Sequence, residues 1–273
     1  MIKFILITSD TILARMAETA GVERIFVDLE TLGKKERQGH LDTLISNHSF
    51  DDIARVRSGL DKAELIVRLN PLHVHTGREV EDAIANGADM LMLPMFRKAA
   101  DVSAFTAMVD NRVGVMPLVE TRGAVESLDE IVATPGVSEI YIGLNDLHLD
   151  MGLNFMFEPL ADGLIDTMAD TIKQAGLPFG FGGVARVGEG TIPGELVLAE
   201  HVRLGSSSVI LSRTFNQGLS GQPQDSLAHE VGKLKSAYAR LQARTGQQVE
   251  FDRNQLKVLV KNLVRSRVNE ASV

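Results

Sequence analysis

Eight short runs of apolar, largely β-branched residues recur along the chain, and the stretches between them carry the apolar spacing of helices. The runs lie at Phe4–Thr8, Arg24–Glu30, Leu65–Asn70, Met90–Met95, Val113–Glu120, Glu139–Gly143, Phe179–Gly183 and Val209–Ser212. They are apolar on successive residues, as expected of parallel strands covered on both faces. Helical patterns fit Thr11–Ala20, Asp51–Leu60, Gly77–Asn86, Ala99–Val109, Ala124–Ala133, Pro159–Ala175 and Glu195–Glu200. In Ala20-Gly21, Asn86-Gly87 and Ala175-Gly176 a glycine stands where a helix C-cap needs a left-handed residue. Such a series predicts an α/β fold, a (β/α)8 TIM barrel, in preference to an open doubly wound sheet. The open sheet is the alternative architecture.

The barrel is expected to fill residues 1–221, leaving residues 222–273 as a C-terminal helical extension. Ser226–Thr245 and Arg253–Arg267 read as two amphipathic helices, the first with Val231, Leu234, Ala237, Tyr238 and Leu241 on one stripe. Packing on the barrel wall and packing on a neighbouring subunit are both open. The net charge of −8, with no basic stripe to offset it, argues against a nucleic-acid partner. The absence of cysteine excludes disulfides, thiol catalysis and Cys-bound zinc. No run approaches the ~20 apolar residues of a membrane span, and MIKFILITSD reads as a buried strand without a cleavage site. The expectation is a cytoplasmic protein with no membrane partner.

Two strand-like runs end in acids. Val113–Val119 stops at Glu120, and Ile140–Gly143 stops just before Asn145-Asp146. One helical stretch separates them, so in a parallel barrel the two strands are neighbours and their acids share the mouth. Paired carboxylates there suit a hard cation such as Mg²⁺; capping of the following helices is the other reading. Arg68, flanked by Val67 and Leu69, is costly inside a strand unless paired. It suits a clamp on a substrate carboxylate, or an internal ion pair with Asp28 or Glu30 of the preceding strand. Asp28 and Glu30 alternate in FVDLE, so they point to one side, as a base, as holders of metal-bound water, or as a barrel salt bridge. The longest strand-to-helix connection, Thr31–Ser49, carries Lys34, Lys35, Arg37, His40 and His48. Long loops of this kind are commonly functional, and a solvated surface loop is the plain alternative.

FVDLE, VRLN, GADMLMLPM, PLVETRGAVESLDEI and PGVSEIYIGLNDLHLDMG, in that order from about residue 24 to 152, resemble the HpcH/HpaI aldolase and citrate lyase β-subunit family. The resemblance continues more weakly through GFGGVAR and SSSVILSR. The family is similar to the phosphoenolpyruvate/pyruvate-binding TIM barrels, and it makes or breaks carbon–carbon bonds through an enolate with a divalent metal. The resemblance implies Mg²⁺ or Mn²⁺ on Glu120 and Asp146, and a two-carboxylate site completed by substrate and water suits Co²⁺ as well. It implies that Arg68 grips the carboxylate of a 2-oxo acid, with the backbone at Leu144 and Asn145 receiving the same group. Asp28 and Glu30 would then lie beside the metal and its waters. Relatives are commonly oligomers, often hexamers, which implies a homo-oligomer here.

One departure is plain. The aldolase branch carries a histidine, and the citrate lyase branch a second acid, directly after the acid of the second strand. Here Glu30 is followed by Thr31. His40 and His48 are the candidates for the missing proton carrier. The implied activity is a class II aldolase acting on a 4-hydroxy-2-oxo acid through a pyruvate enolate. The alternatives are a citrate-lyase-like acyl-CoA lyase or thioesterase, and a non-catalytic metabolite-binding barrel.

Overall fold

The computed structural model describes residues 2–33, 48–215 and 224–271. Eight parallel strands close into a barrel: β1 (Lys3–Ile7), β2 (Arg24–Asp28), β3 (Glu64–Arg68), β4 (Met90–Leu93), β5 (Gly114–Val119), β6 (Ile140–Ile142), β7 (Phe179–Val184) and β8 (Ser208–Leu211). Each pairs with the next, and β8 returns to β1 with Lys3 opposite Ser208. Between them the described residues form α1 (Thr11–Thr19), α2 (Phe50–Ser58), α3 (Thr76–Ala85), α4 (Ala99–Val109), α5 (Arg122–Glu126), α6 (Leu128–Val132), α7 (Leu144–Asp150), α8 (Glu158–Ala161), α9 (Leu164–Gln174) and α10 (Gly194–Leu204). After β8 come α11 (Gln224–Gln242) and α12 (Gly246–Ala271). The expected barrel is observed, and its C-cap glycines Gly21, Gly87 and Gly176 all have positive φ.

The interior is layered, because alternate residues of each strand point inward. Its middle is apolar, built from Ile5, Phe26, Ile66, Met92, Met116, Leu118 and Tyr141. Two residues before Phe26 stands Arg24, buried at the N-terminal end, where it donates to Glu64 (2.6 Å) and pairs with Glu139 (2.7 Å). Two residues after Phe26 stands Asp28, at the C-terminal end. The same two-residue step leads from Ile66 to Arg68 and from Leu118 to Glu120. The apolar layer therefore separates a bottom ion-pair cluster from a charged mouth. Tyr141 seals the seam between β7 and β8: its hydroxyl donates to Gly182 O (2.9 Å) and accepts from Ile210 N–H (2.8 Å). The register shifts between Gly180 and Gly183 beside this ring.

Several strands end one or two residues earlier than their apolar runs. β2 stops at Asp28, because beyond it Thr31 and Leu32 donate their N–H groups to the Asn70 side chain. The single helix expected over Ala124–Ala133 divides at Ser127, and the one over Pro159–Ala175 divides at Gly163 (φ 90).

The two C-terminal helices pack on this chain's own barrel. α11 lies between α10 and α1, the place of the eighth helix in the outer ring. Leu227, Val231, Leu234 and Ala237 are its buried stripe, and Lys235 reaches Gly21 O (2.5 Å) and Glu23 (3.2 Å) at the bottom of the barrel. α12 lies outside, on α10 and α8. Asp166 of α9 accepts from both Arg203 of α10 (2.7 Å) and Arg253 of α12 (2.9 Å), and Leu256 and Val260 are buried beneath. Among the described residues no helix is long and apolar enough to cross a membrane.

Candidate active site

The register places Asp28 of β2 directly beside Arg68 of β3. Arg68 donates from Nε to Asp28 Oδ1 and from Nη2 to Oδ2, both at 2.9 Å, and its Nη2 lies 3.4 Å from Glu30 Oε2. Both acids are buried, Asp28 at 3% and Glu30 at 0% exposure. The guanidinium sits 5.6 Å from the Phe26 ring centroid, closing the charged layer onto the apolar one. Burial alone would weaken its hold on the proton, but Asp28, Glu30 and Glu120 outweigh that and raise it above the ordinary arginine range. Arg68 is therefore a fixed cation whose bidentate Nε/Nη2 edge is taken by Asp28. Of the two sequence readings, the internal ion pair is the one the structure shows.

Glu120 follows β5 and Asp146 lies in the first turn of α7, after β6. β5 and β6 pair at Val119 and Ile142, so the two acids rise from adjacent strand ends. Glu120 does not cap the next helix. That task falls to Thr121, whose hydroxyl accepts from Ala124 N–H (3.1 Å), while Glu120 turns inward at 2% exposure. Its Oε1 accepts from Met95 N–H (3.0 Å), and Met95 adopts a left-handed φ of 56 to present that donor. Such strain in a non-glycine residue persists only where its surroundings enforce it. On the other side Gly143 leaves room for the carboxylate: a Cβ there would lie 2.7 Å from Glu120 Oε2.

Burial, then the charges of Asp146 and Glu30, push the Glu120 carboxyl well above the usual carboxylate range, against the pull of Arg68 and the Met95 N–H. Among the described residues the site thus gathers Asp28, Glu30, Glu120 and Asp146 around the Arg68 guanidinium. Such a place favours either a proton or a cation. The donor set fits a divalent ion held by the Glu120 and Asp146 carboxylates, with substrate and water completing its shell. Among the described residues no three His, Asp or Glu side chains converge tightly enough to enclose a metal on their own.

His48 joins the same strand end. Its Nδ1 accepts from Asp28 N–H (3.0 Å), which puts the proton of the neutral ring on Nε2. Leu144, 1% exposed, packs its side chain against Gly182 at the end of β7, so only its backbone is free to meet a ligand. Asn145 is half-buried in the first turn of α7. His40, Lys34, Lys35 and Arg37 lie outside the described residues. His148, in α7 itself, is buried, and burial lowers its pKa. The sequence reading missed Met95, Gly143 and Asn70. Gly143 carried a signal, a lone glycine at a strand end before an acid; Met95 acts through its backbone and carried none.

The family model for HpcH/HpaI aldolase/citrate lyase matches residues 4–158, more than half of the chain. A hydroxypyruvate/pyruvate aldolase from Roseovarius nubinhibens is 34% identical over 76 residues, 28% of this chain and 27% of that protein. A (3S)-malyl-CoA thioesterase from Cereibacter sphaeroides is 32% identical over 97 residues, 35% of this chain and 34% of that protein. The matched stretches thus span about a third or less of these curated relatives. A crystal structure of a HpcH/HpaI aldolase/citrate lyase family protein from Burkholderia cenocepacia superposes with a TM-score of 0.63 at 17% identity, covering 82% of this chain and 94% of that one. The citrate synthase SbnG gives a TM-score of 0.61 at 16% identity, over 85% and 94%. These two likenesses concern the fold. The match over residues 4–158, on a closed eight-stranded barrel, places the chain in the HpcH/HpaI aldolase/citrate lyase family.

Proposed function

We propose that this protein is a divalent-metal-dependent carbon–carbon lyase that cleaves a 4-hydroxy-2-oxo acid into pyruvate and an aldehyde. The observation that carries the reading is the buried pair Glu120 and Asp146 on adjacent strand ends, where burial and then the charge of Asp146 raise the proton affinity of Glu120. The ion would be Mg²⁺, with Mn²⁺ and Co²⁺ suited to the same oxygen ligands. When bound, it polarises the 2-oxo group and offsets charge developing on that oxygen.

The chain's own residues do the rest. Arg68 keeps Nη1 for the substrate carboxylate, since Asp28 holds Nε and Nη2. Asp28 and Glu30 fix the guanidinium, and the first backbone N–H groups of α7, at Leu144 and Asn145, receive the same carboxylate. His48, with its tautomer set by Asp28 N–H, presents Nε2–H as a proton donor. In cleavage the bond between C3 and C4 breaks as the C4 hydroxyl gives up its proton to water at the mouth, leaving an aldehyde and an enolate. The enolate carbon then takes a proton and becomes the methyl group of pyruvate.

Incubation of the protein with pyruvate, Mg²⁺ or Mn²⁺ and D₂O tests this directly. Deuterium should enter the methyl group, and Glu120→Gln, Asp146→Asn and His48→Gln should each slow entry by on the order of 10²-fold or more. Unchanged entry in the two acid variants would sink the proposal. The similarity to a malyl-CoA thioesterase supports a second reading, an acyl-CoA lyase or thioesterase on the same enolate site. Release of free CoA from a malyl-type thioester, without deuterium entry into pyruvate, would favour it.

A further inference from the structure

Asn70 lies two residues beyond Arg68 and is 8% exposed. Its side-chain oxygen gathers three donors from the exit of β2: Thr31 N–H (2.9 Å), Leu32 N–H (3.0 Å) and the Thr31 hydroxyl (3.3 Å). Its side-chain NH₂ donates to Glu79 Oε1 (2.8 Å), and its backbone N–H reaches Glu79 Oε2 (3.3 Å). Glu79, in the first turn of α3, also receives His73 Nε2 (3.0 Å), while His73 Nδ1 accepts from His75 N–H (2.9 Å). The amide has one workable orientation, because its oxygen faces backbone donors and its nitrogen faces a carboxylate.

These bonds bracket the charged layer of the mouth. Arg68 holds Asp28 and Glu30 from β3 at one level. Asn70, from the same strand end, holds the two residues after Glu30 at the next. Glu30 sits between the two grips, fully buried, with its charge felt at both Arg68 and Glu120. Thr31, the residue that departs from the family pattern, commits both its N–H and its hydroxyl to Asn70.

We propose that Asn70 and Glu79 form a positioning pair, which fixes the exit of β2 so that Glu30 stays turned toward Arg68 and the 2-oxo acid site keeps its charge arrangement. The proposal rests on the enolate reading for its kinetic consequence and stands apart from it for its structural one. Neither residue touches the reacting atoms. Glu79 preorganises Asn70; Asn70 preorganises Glu30; Glu30 restrains the guanidinium that meets the substrate.

The test uses the full chain and three readouts: amide hydrogen exchange at Thr31 and Leu32, thermal unfolding, and KM against kcat for deuterium entry into pyruvate. Asn70→Ala should speed exchange of both amides by on the order of tenfold or more. It should raise the KM for pyruvate by a similar factor while kcat moves less, since a ground-state grip is loosened. Asn70→Asp keeps the shape and the acceptor but sets a carboxylate against Glu79, so it should be impaired as well. Glu79→Gln, added to Asn70→Asp, relieves that repulsion and should restore part of the KM and the amide protection. Amide exchange at the wild-type rate in Asn70→Ala would overturn the clamp. Faster exchange and a lower melting temperature with unchanged KM would reduce it to a structural bond. Wild-type protein inactive in deuterium entry would defeat the enolate reading instead, leaving the amide readout and the Asn70→Asp rescue to judge the pair.

Discussion

At the scale of single residues, the site depends on close approach as much as on charge. Glu120 is aimed by a donor on one side, Met95 N–H, and by absent volume on the other, at Gly143. A Cβ at position 143 would lie 2.7 Å from Glu120 Oε2 and 2.9 Å from its Cβ, so the carboxylate must swing away and the strand end that carries Cβ must shift with it. Gly143 has a φ of −87, which alanine adopts freely, so the backbone itself is not strained by the substitution. Gly143→Ala should therefore keep the fold and lower Mn²⁺ affinity by on the order of 10–100-fold, the usual effect of disturbing a group that orients a metal ligand. Titration of Mn²⁺ by calorimetry or by its spin resonance signal measures this. Affinity at the wild-type level would mean that Glu120 does not hold the ion. The acids themselves were readable because they end apolar runs. Gly143 and Met95 were not, because their roles come from a neighbouring strand's distance and from a backbone N–H.

At the scale of elements, the strands were legible for a plain reason: both faces are buried, so each is written as a continuous apolar run. Helix interruptions were less so. Ser127 and Gly163 break helices whose apolar spacing carries on across the break, and α7 was missed because seven residues opening on Gly143-Leu144-Asn145 give no periodic signal. The Thr31–Asn70 link is also invisible in sequence, since only the pairing of Asp28 with Arg68 brings Thr31 within reach of Asn70. The packing of α10 on β7 carries its own prediction. His201 of α10 is fully buried, stacked on Phe181 with ring centroids 3.8 Å apart, and shares a 2.8 Å hydrogen bond with Ser206. Burial lowers its pKa from 6.5 to about 3. The unfolded chain therefore takes up a proton below pH 6.5 that the folded chain refuses until about pH 3. Stability from this group is complete above the higher value and is lost as pH falls through that window, by up to about 1.4 kcal/mol per pH unit. His201→Phe retains a stacked ring and removes the titration. Its unfolding free energy, measured by urea between pH 7 and pH 4, should fall less steeply than that of the wild type, and parallel slopes would refute the assignment.

For the whole molecule, an apolar layer of the barrel interior separates two charged ends. The bottom of the barrel balances Arg24 with Glu64 and Glu139, and Arg203 of α10, Lys235 of α11 and Arg253 of α12 tie the outer ring. Among the described residues the mouth sets Asp28, Glu30, Glu120 and Asp146 beside Arg68, and burial with the charges of Asp146 and Glu30 raises the Glu120 carboxyl's hold on its proton. Stability and function should then be traded in a measurable way. In EDTA, Glu120→Gln should melt above the wild type, because the amide still accepts from Met95 N–H while the repulsion with Asp146 and Glu30 is gone. Mn²⁺ should reverse the order. Wild-type protein gains stability as the ion binds only the folded state, about 2.7 kcal/mol at a hundredfold excess over Kd, and the variant gains little. The two melting curves, taken with and without Mn²⁺, should therefore cross. If Glu120→Gln melted below the wild type in EDTA, Glu120 would be a structural acid whose charge the fold needs. If Mn²⁺ raised both proteins equally, the ion would bind elsewhere.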